Sequence, residues 1–339
     1  MGVSSCLLGA EVRFNGGHKR SRFLTDSLGP YVDWVPYCPE VEIGLGTPRE
    51  AIRLTFEGRL VNRGATMDHT EVMAGLPLPF GLDGYVFKAK SPSCGIFSIP
   101  RYRPDGELSD HAGRGLYAAR VLAEFPLLAA EDEGRLNDPG LREAFAERIF
   151  AAARLRALFS RAWEPRDLVL FHAQHKLQLL AHDPARYREA GRIVAGAGLV
   201  AGAGSGAGAG SGAGAGSGAG AGSGERGEVP RASVAAPERG ASVEAAYQAV
   251  FLAALAGRAT RGRNANALQH AYSRIGRELD QARRDDIVAR IEAYRLGQEP
   301  LSVPVALLAH YASSGEWPWL AEQTYLAPFP AGLRLRHSV

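Results

Sequence analysis

The sequence has few sulfur-containing residues and no long apolar run. Its 339 residues include three cysteines and three methionines. Such a small, odd number of cysteines in a chain of this size excludes a disulfide framework and indicates a reducing compartment. No apolar run approaches the ~20 residues of a membrane-spanning helix. The N-terminus also lacks the basic and apolar regions of a secretory signal. We therefore expect a cytoplasmic protein without a membrane segment.

The charge is distributed unevenly along the chain. Residues 1–150 contain 17 Lys and Arg against 20 Asp and Glu, whereas residues 151–339 contain 22 against 16. The formal net charge of +3 conceals this difference. The second half is therefore the better candidate for contact with a polyanion.

The chain length predicts two domains. Short apolar segments alternate with helical segments in the first part, which predicts a Rossmann-like α/β domain with a mostly parallel sheet over residues 1–158. Its predicted elements include a hairpin turn at Glu57-Gly58, a helix over 109–124 capped by Ser109 or Asp110, and a long helix over 140–163 capped by Asn137 or Asp138. Residues 159–339 show almost only helical patterns and predict an all-α domain.

A tract rich in Gly, Ala and Ser interrupts the helical half. Repeats of this kind can stack into fibre sheets when they are numerous. Here one short tract has no partner strand, so we interpret residues 196–241 as a flexible linker between two helices.

Each cysteine lies at or just after the end of a short predicted strand. Cys6 lies in a strand predicted over 1–8, Cys38 ends the strand at 33–37, and Cys94 lies in a loop after the strand at 82–87. Parallel strands present their carboxyl ends at one edge of a sheet, where α/β proteins bind ligands. We therefore expect the three thiols to meet in one crevice.

Three convergent thiols allow two interpretations. Free cysteines are most often small buried hydrophobic residues. The polar residues beside these three favour ligands instead, and no fourth cysteine completes a tetrahedral structural zinc site. Three thiolates suit a cubane iron–sulfur cluster with one iron left unligated by protein, which would act as a Lewis acid.

Several motifs in the first 150 residues resemble the thiouracil desulfidase family. They are Val3-Ser-Ser-Cys6-Leu-Leu-Gly9, Arg13-Phe-Asn15-Gly16, Cys38-Pro-Glu40, Gly44-Leu-Gly46-Thr-Pro48-Arg49-Glu50 and Lys90-Ser91-Pro-Ser93-Cys94-Gly95. The second half resembles the YbgA-like domain that is often fused to this family, through Phe171-His172-Ala-Gln-His175-Lys176, Asn266-Ala-Leu-Gln-His270 and related segments. The combination is similar to the bacterial tRNA 4-thiouridine desulfidases.

The resemblance implies a [4Fe-4S] cluster held by Cys6, Cys38 and Cys94, with one iron not ligated by protein. It also implies Glu40 and Ser91 as catalytic residues. Glu40 would activate water or pass protons to the ring, and Ser91 would position the substrate. Further candidates for substrate binding are Ser5, Asn15, Lys19, Arg49, Lys90 and Ser93. The implied substrate is tRNA that carries 4-thiouridine.

The helical half contains candidate RNA contacts. His172 and His175 are spaced to share one helical face beside Lys176. With His182 they also suggest a metal site, but no carboxylate has ligand spacing to them, so RNA contact or plain packing is favoured. A basic group formed by Arg258, Arg261 and Arg263 precedes a predicted helix. It is either a solvated face or a set of phosphate contacts.

Three other functions remain open from the sequence. The first is desulfidation of free 2-thiouracil or thionucleosides, although a free base needs no second domain. The second is a non-catalytic RNA-binding protein with a structural metal. The third is sulfur insertion, which usually requires activation by ATP, and the chain has no Gly-x-x-x-x-Gly-Lys-Ser/Thr loop.

Overall fold

The computed structural model describes residues 1–203, 241–313 and 317–335. Most of the predicted linker, residues 204–240, lies outside the described residues. Its first residues, 196–203, extend the preceding helix, and residue 241 begins the next one.

The described residues of the first region form two four-stranded sheets, with strand orders β2-β1-β5-β8 and β4-β3-β6-β7. The strands are β1 (Gly2–Ser4), β2 (Val35–Tyr37), β3 (Ile52–Thr55), β4 (Leu60–Asn62), β5 (Gly84–Phe87), β6 (Ile99–Tyr102), β7 (Leu108–Gly113) and β8 (Ala129–Asp132).

All strand pairs of the first sheet are parallel, as the sequence predicted. Successive residues of a strand point to opposite faces, and β5 shows this clearly. Val86 packs into the core on one face, whereas Tyr85 and Phe87 stack against each other in the core on the other face. The sheet is therefore covered on both faces, and its carboxyl ends form a single edge.

The second sheet consists of two hairpins joined by the parallel pair β3 and β6. The turn predicted at Glu57-Gly58 connects β3 to β4, and Gly58 adopts a φ of +84°. The helix predicted over 109–124 is wrong in its first part, because residues 108–113 form strand β7. Asp110 does not cap a helix but forms an ion pair of 2.7 Å with Arg101 on the neighbouring strand.

Helices follow in both regions. Those up to residue 159 are α1 (Pro39–Glu42), α2 (Thr70–Ala74), α3 (Leu116–Glu124) and α4 (Pro139–Phe159). Those after it are α5 (Pro165–Gln174), α6 (Lys176–His182), α7 (Pro184–Ala203), α8 (Ala241–Ala256), α9 (Arg261–Ile275), α10 (Gln281–Arg295), α11 (Ser302–Ala312) and α12 (Pro318–Ala321). The described part after residue 159 is thus helical, and the predicted fold class is confirmed.

Helix α4 belongs to both regions. Asp138 caps it, as predicted, by accepting a hydrogen bond of 2.8 Å from the backbone N–H of Leu141. Phe145 and Ile149 pack into the core beneath the first sheet, whereas Leu155 and Leu158 pack into a core of the helical region. The predicted boundary after residue 158 therefore falls at the end of a helix that both cores share.

The last described segment returns to the first region. Leu333 and Leu335 are buried in the same core as Val3 and Phe145. The sheet region therefore includes residues from both ends of the chain. No helix within the described ranges is both long and apolar enough to cross a membrane.

Candidate active site

The three cysteines lie beyond the carboxyl ends of adjacent parallel strands. Cys6 lies in a 3-10 turn (Ser5–Leu8) directly after β1, because β1 ends at Ser4 rather than continuing to residue 8 as predicted. Cys38 separates β2 from α1. Cys94 lies in the loop that follows β5. Cys6 and Cys94 are buried, and Cys38 is partly buried.

All three cysteines line one cavity of about 350 Å³. The residues around it come from both strand ends and loops, so the crevice that the strand pattern predicted is formed. The charged residues that line it are Arg13, Lys19, Glu40, Arg49, Lys88 and Lys90. Positive charge therefore dominates the walls around three thiols.

The three cysteines line this cavity without forming a close group. Within the described ranges, no three His, Cys, Asp or Glu side chains are grouped closely enough to hold a single metal ion. A cluster of several irons has its ligands farther apart than a single ion does. The donor set of three cysteines around a cavity therefore fits a cubane cluster.

Burial keeps the three thiols protonated in the metal-free protein. It raises the pKa of Cys6 to about 11, although the ammonium group of Lys88 opposes this shift. It also raises the pKa of Cys38, although backbone hydrogen bonds from Val41 and Glu40 oppose this shift. It raises the pKa of Cys94 well above its usual value. Metal binding requires thiolates, so loading of this site would release protons.

Glu40 is fixed by hydrogen bonds on both carboxylate oxygens. Its Oε2 accepts a hydrogen bond of 2.6 Å from Arg49, and both side chains are largely buried. Its Oε1 accepts hydrogen bonds from the hydroxyl groups of Ser93 at 3.0 Å and Ser91 at 3.3 Å. The carboxylate is thus held in one orientation beside the cavity that the cysteines line.

Ser91 connects Glu40 to the loop that carries Cys94. Its Oγ accepts a hydrogen bond of 3.1 Å from the backbone N–H of Cys94 while it donates to Glu40. The loop is also packed tightly against Gly115, where an added Cβ would lie 2.5–2.8 Å from backbone atoms of Ser93 and Cys94. Both contacts fix the position of the thiol.

The candidate substrate-binding residues divide into three groups. Ser5, Lys19, Arg49 and Lys90 line the cavity. Ser93 is fully buried and contacts Glu40. Asn15 does not line the cavity, and its Oδ1 accepts a hydrogen bond from the backbone N–H of Gly17.

Sequence reasoning missed Lys88 and Ser4. Lys88 forms an ion pair with Glu133, and its charge acts on Cys6. Ser4 accepts a hydrogen bond of 2.9 Å from the backbone N–H of Lys88. A hydrogen bond from its side chain also opposes the rise in the pKa of Cys94. Two signals could have identified Lys88. It directly follows the buried strand β5, and it is one of four lysines in the chain, three of which line this cavity.

The histidines of the helical region take part in packing. His175 directly follows α5, is 1% exposed and stacks on Phe171. His172 stacks on Tyr187 and shares a hydrogen bond of 3.1 Å with the hydroxyl of Tyr247. His182 is buried beside Glu147. Of the two interpretations given for His175, RNA contact and packing, the structure fits packing, because the ring is buried.

The basic candidates are distributed over the surface of the helical region. Arg258 and Arg261 are exposed. Arg263 is also exposed, and its Nη1 donates a hydrogen bond of 2.6 Å to the backbone carbonyl of His182. The Nζ of Lys176 lies 6.0 Å from the ring centroid of Trp319.

Comparisons with known proteins give two family matches, one in each part of the chain. Residues 1–133 match the family model of 2-thiouracil desulfurase, and residues 231–330 match a family of unknown function, DUF1722. An uncharacterized protein of Escherichia coli K12, YbgA, is 24% identical over 191 residues, which are 56% of this chain and 91% of that protein. A solved structure of the [4Fe-4S]-dependent thiouracil desulfidase TudS is 32% identical, covering 42% of this chain and 95% of that one with a TM-score of 0.34.

The first family match confirms the resemblance to the thiouracil desulfidase family in the first part, and the similarity to YbgA confirms the resemblance to a YbgA-like domain in the second. Residues 1–133 thus match the 2-thiouracil desulfurase family, and residues 231–330 match the DUF1722 family.

Proposed function

We propose that this protein is a [4Fe-4S]-dependent desulfidase that converts 4-thiouridine in tRNA into uridine. The observation that carries the proposal is the shared cavity of Cys6, Cys38 and Cys94, which also includes Glu40 and Ser91. The family match supports the class of reaction. The net positive charge of the second half supports a polyanionic substrate.

The reaction replaces the exocyclic sulfur atom of the pyrimidine with oxygen. A water molecule supplies the oxygen and two protons, a C–O bond forms, the C–S bond breaks, and sulfur leaves as hydrogen sulfide. Cys6, Cys38 and Cys94 would hold the cluster. When bound, the cluster supplies an iron atom without a protein ligand, which acts as a Lewis acid for the thiocarbonyl sulfur.

Glu40 is the proposed proton acceptor for the attacking water. Its Oε2 is engaged by Arg49, so the carboxylate cannot rotate freely, and its Oε1 faces the hydroxyl groups of Ser91 and Ser93. A fixed carboxylate beside the reacting ring can take a proton from water and return one to the ring or the leaving group. Ser91 positions this carboxylate and the Cys94 loop together.

The helical region is the proposed site of tRNA contact. Recognition of folded RNA depends largely on backbone phosphates and shape, and Arg258 and Arg261 are exposed cations there. Free, unpaired cysteines and a tRNA substrate both suit a cytoplasmic enzyme. The alternative is that the enzyme acts on free thiouracil or thionucleosides.

The test is incubation of the anaerobically reconstituted full-length protein with bulk tRNA, with loss of the 4-thiouridine absorbance as the measurement. The Cys94→Ala variant is the control and is expected to be inactive. Conversion of free thiouracil or 4-thiouridine without conversion of tRNA would select the alternative. Absence of sulfide from every substrate would contradict the proposal.

A second variant tests the role of the helical region without removing it. Deletion of residues 159–339 would also remove Leu333 and Leu335 from the core of the sheet region. We therefore choose the Arg258→Gln, Arg261→Gln double variant. It is expected to raise the KM for tRNA and leave the KM for free 4-thiouridine unchanged. Equal effects on both substrates would count against this division of roles.

A further inference from the structure

A cavity of about 430 Å³ lies at the edge of the first sheet opposite the cysteines. Its walls include Asp83, which directly precedes β5, and Leu128, which directly precedes β8. The strands of this parallel sheet begin at this edge and end at the other one, beyond which the cysteines lie. None of the described residues lines both cavities. We call this separate space the amino-edge cavity.

Both regions of the molecule contribute to the amino-edge cavity, and its walls are mostly apolar. Loops of the sheet region form one side, α8 forms another, and α4 runs between them. The leucines that line it are Leu82, Leu127, Leu128, Leu155, Leu252 and Leu255. Phe125 and Phe159 also line it. A mostly apolar cavity of this size is typical of a binding site for a small organic molecule.

Four charged side chains in the described part of the chain line this cavity, and two of them neutralise each other. Asp83 accepts two hydrogen bonds of 2.8 Å from the guanidinium group of Arg156. Glu244 lies in the first turn of α8 and accepts a hydrogen bond of 3.2 Å from the side-chain amide of Gln248. The fourth is Arg148, one turn of α4 before Ala152, which also lines the cavity.

Arg148 is a half-buried guanidinium group that forms no ion pair with any described residue. Its Nη2 donates a long hydrogen bond of 3.4 Å to the backbone carbonyl of Leu128. Burial lowers the pKa of Arg148, and the carboxylate of Glu131 only partly opposes this shift. That carboxylate is itself bonded through both oxygens to Arg135. The charge of Arg148 is therefore desolvated with little compensation.

An anion with an apolar body would complement this arrangement. A buried charge is costly unless it is paired and hydrogen-bonded, and a guanidinium group can bind a carboxylate through two parallel hydrogen bonds. The apolar walls beside Arg148 would enclose the rest of such a molecule. A multiply charged anion fits less well, because its further charges would lie near Asp83 and Glu244.

We infer that the amino-edge cavity binds a monocarboxylate with an apolar body, either an alkyl chain or an aromatic ring system. Arg148 binds the carboxylate, and the leucines and phenylalanines of the cavity enclose the apolar part. The site is independent of desulfidation, which is proposed for the opposite edge of the sheet. Because the ligand contacts both regions, its binding should raise the unfolding temperature of the protein in a concentration-dependent way.

The test compares octanoate with 1-octanol, which has the same chain length and no charge. Binding to the anaerobically reconstituted full-length protein is measured by calorimetry. Octanoate is expected to bind about tenfold more tightly or better, because charge-assisted hydrogen bonds are added. Hexanoate should bind more weakly than octanoate by about fourfold for each CH₂ group removed.

The Arg148→Met variant removes the charge and keeps an unbranched side chain. It should lose most of the preference for octanoate and bind 1-octanol as before. Arg142→Met is the matched control and should retain the full preference. Arg142 lies on the same helix and donates a hydrogen bond to the backbone carbonyl of Leu136, but it does not line the cavity.

Ala152→Phe tests the apolar walls while it leaves Arg148 in place. The larger side chain would fill part of the cavity. Binding of octanoate and of 1-octanol should therefore weaken by a similar factor, so that the ratio of the two affinities is retained. Undiminished binding of both ligands in this variant would contradict the assigned location.

Equal affinity of the wild type for octanoate and 1-octanol would overturn the inference. So would an undiminished preference for octanoate in Arg148→Met with unchanged thermal unfolding. A lower unfolding temperature in Arg148→Met, with no binding of octanoate to the wild type, would show that Arg148 serves the fold alone.

A second carboxylate, 2-naphthoate, identifies the apolar part of the ligand. Binding tighter than that of octanoate, with the same loss in Arg148→Met, assigns the cavity to an aromatic carboxylate. Weaker binding of 2-naphthoate assigns it to an alkyl chain. Both results retain the inferred carboxylate site.

Discussion

The two regions of this molecule use buried polar groups differently. In the sheet region, Glu40, Ser91 and Ser93 bond one another at the edge of a cavity that the three cysteines also line. In the helical region, buried His182 contacts Glu147 and the backbone carbonyl of Gly257. The first arrangement holds polar groups beside a cavity, whereas the second joins helices to each other. Buried polar groups are thus found in both regions, but only those of the sheet region lie at the cavity that the cysteines line.

The strongest test of this comparison is the Glu40→Gln variant. It keeps the size of the side chain and removes the proton acceptor, so we expect desulfidation to slow by about 10²–10⁴-fold. Iron and sulfide content should remain at the wild-type level, because Glu40 is not among the cysteine ligands. Glu42→Gln is the control, since Glu42 lies on the same short helix, is exposed and does not line the cavity. Full activity in Glu40→Gln would contradict the assigned role.

In the helical region, His182→Gln should affect stability rather than chemistry. The variant removes the charge that faces the Glu147 carboxylate at 3.2 Å in a buried site. Breaking a buried ion pair costs about 3–5 kcal/mol, so urea unfolding should show a loss of that size. The activity of the folded protein on free 4-thiouridine should be unchanged. Unaltered stability would mean that this pair does not hold the helices together.

The pH dependence of this pair follows from its charge. Burial lowers the pKa of His182, but the adjacent Glu147 carboxylate outweighs burial, and the pKa lies above the ordinary 6.5. The stabilising contribution is therefore complete below pH 6.5 and is lost as the pH rises through the higher pKa of the folded protein. The stability difference between wild type and His182→Gln should shrink over that range.

The Gly115→Ala variant tests how much the position of the Cys94 loop depends on its close packing against Gly115. The added methyl group would overlap backbone atoms of Ser93 and Cys94, so the Cys94 loop must move. We expect a loss of about 1–3 kcal/mol in stability and less bound iron after reconstitution. Gly46→Ala is the matched control, because nothing lies within 4 Å of its added Cβ. Equal iron content in both variants would show that the loop tolerates displacement.

The last prediction concerns His172 and applies only at acidic pH. Burial lowers its pKa to about 4, so the unfolded chain takes up a proton near pH 6.5 whereas the folded protein does not. Stability should therefore fall by at most about 1.4 kcal/mol per pH unit as the pH drops from 6.5 towards 4. In His172→Phe this part of the decline should disappear. If the difference in unfolding free energy between wild type and His172→Phe stayed constant across that range, the lowered pKa of His172 would be refuted.

The features that depend on neighbouring residues in the sequence could be predicted, such as the positions of the three cysteines at strand ends. Cys6, Cys38 and Cys94 each follow a short apolar segment, and parallel pairing brings such ends together. The cap at Asp138 also followed from a local signal, because Pro139 suits the first turn of a helix.

Contacts between distant segments were not predictable in the same way. Residues 108–113 form a strand because β6 lies beside them, and Asp110 is engaged by Arg101 across the sheet rather than by a helix end. Likewise, Lys88 and Glu133 are 45 positions apart, and no local pattern relates them. The amino-edge cavity depends on the packing of α8 against α4, which sequence periodicity does not reveal.

The return of Leu333 and Leu335 to the sheet region has a consequence for synthesis of the protein. Domains usually fold from the N-terminus while the ribosome is still adding residues. Here the hydrophobic layer beneath β1 stays open until Leu333 and Leu335 have been translated, after the helical region. Assembly of the proposed cluster on Cys6 should then be completed only after the helical region has been synthesised.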